Sequence, residues 1–215
     1  MPLTTADLMA LPVYERYRRQ HQRRLIRHRR ERSVPLGPHM RVHFEDETTL
    51  LYQIQEVLRA ERSDDLGAMQ HEVDTCAHLV PDGTTWNATL LIELPEAAQR
   101  QRLLPLLNRA AHELYIEVAH QPRAMGQANE DLHDRHLTRP SAVHFLRFRF
   151  GAAQRAAVHA GAPVTLGCAH HGSWWRHVLP PATLARLRHD LLVPGGSALA
   201  APDHRPPRTA TRSPR

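Results

Sequence analysis

The spacing of apolar residues changes at residue 85, and no other feature constrains the fold of this chain as much. Residues 85–94 alternate, with Trp86, Ala88, Leu90, Ile92 and Leu94 on one face and Asn87, Thr89, Leu91 and Glu93 on the other. Alternation with a period of two is the pattern of a half-buried strand. A helix over 96–110 follows, kinked or interrupted at Pro105, which has no N–H to donate. Residues 113–120 alternate again through Leu114, Ile116 and Val118, a polar loop covers 121–140, and 142–150 form a third strand. A helix of small residues at 151–160, a fourth strand at 163–170 and a last helix at 184–192 complete the series. Strand, helix, strand, strand, helix, strand is the split β-α-β order of ferredoxin-like folds. The expected class is α+β: an antiparallel sheet of about four to five strands with helices packed on one face, plus a basic N-terminal helix.

Ahead of residue 85 the periodicity is helical. Residues 13–32 carry a narrow apolar stripe through Val13, Tyr17 and Leu25, with arginines over the rest, and Pro35, Gly37 and Pro38 end that helix. A short strand at 41–44 leads to Asp46, a good N-cap, with Glu47 suited to the positive end of the helix dipole. At about 100° per residue, Leu50, Leu51, Ile54, Val57 and Leu58 share a sector of about 120°, wide enough to face a core. A second helix is expected over 66–79, closed by Pro81, Asp82 and Gly83.

Charge is unevenly placed. All 28 basic residues are arginine. With alanine and proline also abundant, this points to a GC-rich genome and weakens arginine content as evidence for nucleic-acid binding. Residues 1–33 carry a net charge of +6, residues 194–215 carry +3, and residues 34–193 carry −3. The expected organisation is a basic N-terminal helix in 1–33, a single α+β domain in 34–193, and a disordered basic tail in 194–215 rich in glycine and proline. No apolar run approaches the roughly 18 residues that span a bilayer, and the first residues lack a basic n-region and an apolar h-region. Cys76 and Cys168 form no C-x-x-C pair. The expected setting is a soluble, cytoplasmic protein.

Candidate sites start on the helix after Asp46. Glu61 falls about 20° from Leu50 within the apolar sector, so it sits at a frayed helix end or is buried against a partner such as an arginine of the first helix or a metal. Glu47 lies about 21 Å from it along the axis, too far to share one ion. Glu56 and Arg59 are three apart and suit a surface pair. Glu45 and Gln53 are polar groups at a strand end and on a helix, beyond what folding requires. Among the 17 histidines, Cys168, His170 and His171 make the best transition-metal cluster. Alternation puts Cys168 and His170 on one face, with His43 or Glu45 available to complete the set. Glu130, Asp131, His133, Asp134 and His136 form a second cluster in the polar loop. The arginines of the first helix would suit a phosphate backbone, with little aromatic support beyond Tyr14 and Tyr17. No phosphate-cradling glycine loop, G-x-S-x-G elbow, H-E-x-x-H or dinucleotide fingerprint is present. An enzyme would therefore have to be of an unrecognised class.

Several segments resemble an uncharacterised bacterial family, the DUF family thirty-five-oh-one. They are Tyr14-Glu15 with the arginines after it, Arg32-Ser33-Val34 with Leu36-Gly37, and Phe44-Glu45 with Thr48. Gln53-Ile54-Gln55-Glu56 with Leu58-Arg59 and Glu61, Leu79-Val80-Pro81, Ala88-Thr89-Leu90 and Ser141-Ala142-Val143 complete the likeness. The resemblance implies a context only, since genes of that family tend to lie near those for rubrerythrin-like proteins and iron–sulfur oxidoreductase subunits. It therefore implies an accessory or binding role in a redox or peroxide-defence setting, with such proteins as partners. Near the last strand the family often looks like Asp-His-Pro-x-Tyr, whereas this chain has Ala169-His170-His171-Gly172-Ser173, matching at His170 alone.

Overall fold

The chain, seen here as a computed structural model, is described for residues 3–128, 140–169 and 175–192. The strands are β1 (Ser33–Leu36), β2 (Met40–Phe44), β3 (Thr85–Ile92), β4 (Leu114–Val118), β5 (Ala124–Ala128), β6 (Val143–Arg149), β7 (Val164–Cys168) and β8 (Trp175–Val178). The helices are α1 (Leu11–Glu31), α2 (Glu47–Glu61), α3 (Leu66–Ala77), α4 (Ala97–Ala110), α5 (Ala152–His159) and α6 (Pro181–Leu187).

All eight strands join one antiparallel sheet in the order β1-β2-β3-β6-β5-β4-β7-β8. The sheet curls until β1 meets β8, giving a nearly closed barrel. At that seam Gly37 has φ +67°, and a Cβ there would come within 2.6 Å of the Trp175 indole. Glycine is needed at this position both for the backbone angle and for the close approach.

Alternation fills the barrel. Val42 and Phe44 of β2, Trp86, Ala88 and Leu90 of β3, Ile116 of β4, Phe148 of β6 and Leu166 of β7 are all buried in one core cluster. Trp86 meets Phe44 and Phe150 edge to face, and its indole N–H donates to the Leu187 carbonyl in α6 (2.9 Å). The outer face of β2, β3 and β6 is covered by the N-terminal helices. A second cluster of Leu50, Ile54 and Leu58 of α2 with Met69 and Val73 of α3 packs there against Phe145. This double cover leaves nearly every residue of β3 buried, on both faces.

The structure corrects the expected four-to-five-stranded, ferredoxin-like sheet. The short strand expected at 41–44 and the four strands and intervening helices read from residue 85 onward are present, but three further strands turn the open sheet into a barrel. β5 is the decisive one, because it inserts between β4 and β6 and carries the sheet around. Its sequence, Ala-Met-Gly-Gln-Ala, has no β-branched residue and lies in the segment read as a polar loop. β1 contains Pro35, which reads as punctuation; at the edge beside β2 alone, a missing N–H is tolerated. β8 has only four residues and two are exposed, so it shows little apolar pattern. The expected tail in 194–215 lies outside the described residues.

A candidate ligand-binding cleft on the outer barrel wall

His43 points out of β2 between the inward Val42 and Phe44, and Glu45 follows two residues later on the same side. Strand register places His43 opposite Thr89 of β3, Thr89 opposite Phe145 of β6, and Leu91 opposite Val143. Outward side chains of three strands thus form a short row. Gln53 of α2 and Arg29 of α1 lean over it, and together these residues enclose a cleft of about 190 Å³.

Glu45 is 3% exposed. Its two carboxylate oxygens accept from the Thr49 hydroxyl (2.5 Å) and the Thr89 hydroxyl (2.6 Å). A carboxylate offers about four lone-pair positions, so two remain for a ligand. Its backbone is held as firmly, since the buried Arg32 guanidinium donates to the carbonyls of Phe44 (3.0 Å) and Glu45 (3.2 Å).

Behind the cleft, Arg32 also bonds Asp190, and its Nε lies 3.4 Å from Asp46. Asp46 caps α2 by accepting from the Thr49 N–H (3.0 Å) and pairs with His28 at 2.6 Å. Burial works against the Asp46 carboxylate, but the His28 bond and the Arg32 charge together hold it below the usual range. At Asp190 burial prevails over Arg32 and pushes the carboxyl up to about 6.

The proton on His43 is placed by its neighbours. Ser33 Oγ lies 2.5 Å from the Arg29 carbonyl and 2.5 Å from His43 Nδ1. A carbonyl only accepts, so the single Ser33 proton must point to it; otherwise two lone-pair oxygens would meet at that distance. His43 Nδ1 therefore carries the hydrogen and donates to Ser33, leaving Nε2 with a free lone pair. Among the described residues that nitrogen has no partner. Burial first, then the Arg29 charge, pushes the His43 imidazole below its ordinary range, so the neutral form prevails near pH 7. Arg29 has a buried Nε without a hydrogen-bond partner, and no acidic group pairs with it among the described residues.

Of the site residues expected from sequence, Glu45 and Gln53 come together in this cleft. Glu56 serves a different purpose. Arg18 grips it through Nε and Nη2 (both 2.8 Å), and the buried Tyr14 hydroxyl donates to it at 2.6 Å, which docks α1 on α2. The Arg18 bond, with help from Tyr14, pulls the Glu56 carboxyl down to about 2. Gln55 makes a similar clasp, exchanging two bonds with the Met9 backbone (2.9 and 3.0 Å). Glu61 is the exposed last residue of α2.

Cys168 lies fully buried inside the barrel with its Sγ directed at the Ala110 carbonyl (3.4 Å), across the wall from His43 and Glu45. His170, His171 and the acidic cluster of the polar loop lie outside the described residues. Among the described residues no three His, Cys, Asp or Glu side chains are grouped to hold a metal ion. Sequence reasoning missed the cleft residues Arg29, Thr89 and Phe145, and also Thr49, which holds Glu45 from outside the lining. Only Thr49 carried a local signal, as the hydroxyl three residues after an N-cap.

The profile of a family described as protein of unknown function (DUF3501) matches residues 2–191. A crystal structure of a novel protein of unknown function from Burkholderia pseudomallei K96243 is similar, with a TM-score of 0.84 and 39% identity. The alignment covers 89% of this chain and 100% of that one. No curated protein matches. No helix among the described residues is long and apolar enough to cross a membrane.

Proposed function

We propose that this chain, which belongs to the DUF3501 family, binds a small organic acid that also carries a hydroxyl or amino group, using the cleft under α1. The observation that carries the reading is Arg29, a guanidinium with no acidic partner, set across a small cleft from the clamped Glu45 carboxylate. An anionic group on the ligand would pair with Arg29, and a donor would meet Glu45 or His43 Nε2. Leu91, Val143 and Phe145 offer apolar contact to a short carbon skeleton. At about 30 Å³ per water, the cleft holds about six waters' worth of ligand, which fits a hydroxy acid or amino acid of few carbons.

The test is a thermal-shift and calorimetric screen of the purified chain with glycolate, lactate, 3-hydroxybutyrate, glycine and alanine. A binder at 100 times its Kd stabilises the fold by about 2.7 kcal/mol. Arg29→Gln is expected to abolish that shift without unfolding the protein. If none of these compounds binds at millimolar concentration, or if Arg29→Gln binds as well as the parent, the reading is wrong.

One observation favours a second reading. The bond from His43 to Ser33 presents a neutral imidazole as a proton acceptor, an arrangement suited to proton abstraction from a bound acid. The redox or peroxide-defence setting, with rubrerythrin-like or iron–sulfur partners, is the context we propose on the family resemblance alone. The metal reading would need His170 or His171 to join His43 and Glu45.

A further inference from the structure

The cleft uses the inner side of α1, and the outer side carries a separate pattern. Tyr14 and Leu25 are the buried anchors of this helix. Opposite them, Arg16, Arg19, Arg23, Arg27 and Arg30 are exposed, at spacings of three, four, four and three residues. At about 100° and 1.5 Å per residue, they fall within about 80° of the circumference and form a straight row about 21 Å long. Among the described residues none of the five has an acidic partner. The acids of α1 flank the row and are already engaged, Glu15 with Arg59 at 3.8 Å and Glu31 with Arg186 at 2.8 Å.

Some arginines outside this row are paired with acids. Arg18 and Arg32 are bonded to carboxylates, and Arg123 and Arg176 share Glu117. A genome rich in arginine codons explains which cation is used, but not why five of them line up on one face with no counter-charge. We propose that the outer face of α1 docks along the phosphate backbone of double-stranded nucleic acid, without reading its sequence.

The row matches a linear polyanion. Duplex DNA carries about one charge per 1.7 Å of axis, so 21 Å of it presents about twelve phosphates to the five guanidinium groups. Its major groove, about 12 Å wide, admits an α-helix and is rimmed by phosphates on both sides. Guanidinium also suits phosphate better than ammonium does, through paired N–H donors in one plane.

The test is fluorescence anisotropy of the full chain with a 20-base-pair duplex of arbitrary sequence, from 50 to 200 mM salt. Five phosphate contacts give a log–log salt slope of about −4.5, or roughly a 500-fold loss of affinity over that range. Arginines outside the row can only steepen the slope of the full chain, so the decisive readout is the change on substitution. Arg23→Gln with Arg27→Gln should flatten the slope by about 1.8, and Arg16→Gln with Arg19→Gln should do the same. Both pairs are exposed, so the thermal transition should be unchanged, and a variant that fails to fold is replaced by the other. The proposal is overturned if no binding tighter than about 10 μM occurs at 50 mM salt. It is equally overturned if both variants keep the parental slope, or if polyglutamate or anionic vesicles bind as tightly as the duplex.

Discussion

Substituting Glu56 tests how α1 is held on the barrel, and with it whether Arg29 can stay over the cleft. Tyr14 is 2% exposed, so its hydroxyl has little access to water if Glu56 is lost. Tyr14→Phe removes one hydrogen bond to a charged acceptor, which costs about 1.5–3 kcal/mol. The Glu56 carboxyl is pulled from an ordinary 4.5 to about 2 in the folded state. A folded pKa below the unfolded one means that this contribution is present above about pH 4.5 and is lost as pH falls toward 2. At about 1.4 kcal/mol per unit, that depression is worth roughly 3 kcal/mol before solvent screening. With the Glu56 side chain 23% exposed, we expect about 2 kcal/mol to survive. Urea titrations at pH 7 and pH 3 read both quantities from the midpoint at constant slope. Glu56→Gln should be less stable than the parent at pH 7 and should lose about 1 kcal/mol less between the two pH values, since pH 3 still lies above the folded pKa and only part of the contribution is lost there. Equal pH dependence in both proteins, or a Tyr14→Phe cost below about 0.5 kcal/mol, would show that this junction does not anchor the helix.

Two other substitutions probe the wall and the back of the cleft. Thr89→Val leaves one oxygen of a buried carboxylate without its donor and should cost about 1.5–3 kcal/mol, visible as a lower Tm, with weaker binding of any acid found in the screen. Asp190 has a folded pKa raised to about 6, so its contribution is fully present below its ordinary 3.8 and declines as pH rises through 6. Asp190→Asn should remove that decline. A parental stability curve that stays flat between pH 4 and 6 would contradict the assignment.

The elements that were legible in sequence are those whose stability is local. Asp46 caps α2 as expected, and the alternation of β3 gave its inward face residue by residue. The strands that escaped notice are stabilised by neighbours instead of by their own composition. β5 survives with glycine at its centre because Gly126 packs against the Phe148 ring, where a Cβ would come within 3.0 Å. β8 is held to β7 by four register pairs, and Trp175 spans the seam to Gly37. None of these contacts has a signature within five or six residues of sequence. A fold decided by such strands cannot be recovered from periodicity, even when most single elements can.

The same distinction explains why only part of the cleft could be read. Glu45 and Gln53 stood out because each is a polar group that its own element does not need. Thr89 and Phe145 belong to regular strands, and their importance comes from register, which sets one opposite the other and both beside His43. Shifting β3 by one residue against β2 would turn Thr89 inward and expose a core leucine. The barrel core therefore dictates which outward side chains meet. The inward packing of Val42, Leu90 and Leu146 is what puts His43, Thr89 and Phe145 in line on the outside. On this argument a substitution that loosens the interior at Leu90 should disturb Glu45 through Thr89, although Leu90 lies on the far side of the wall from any ligand.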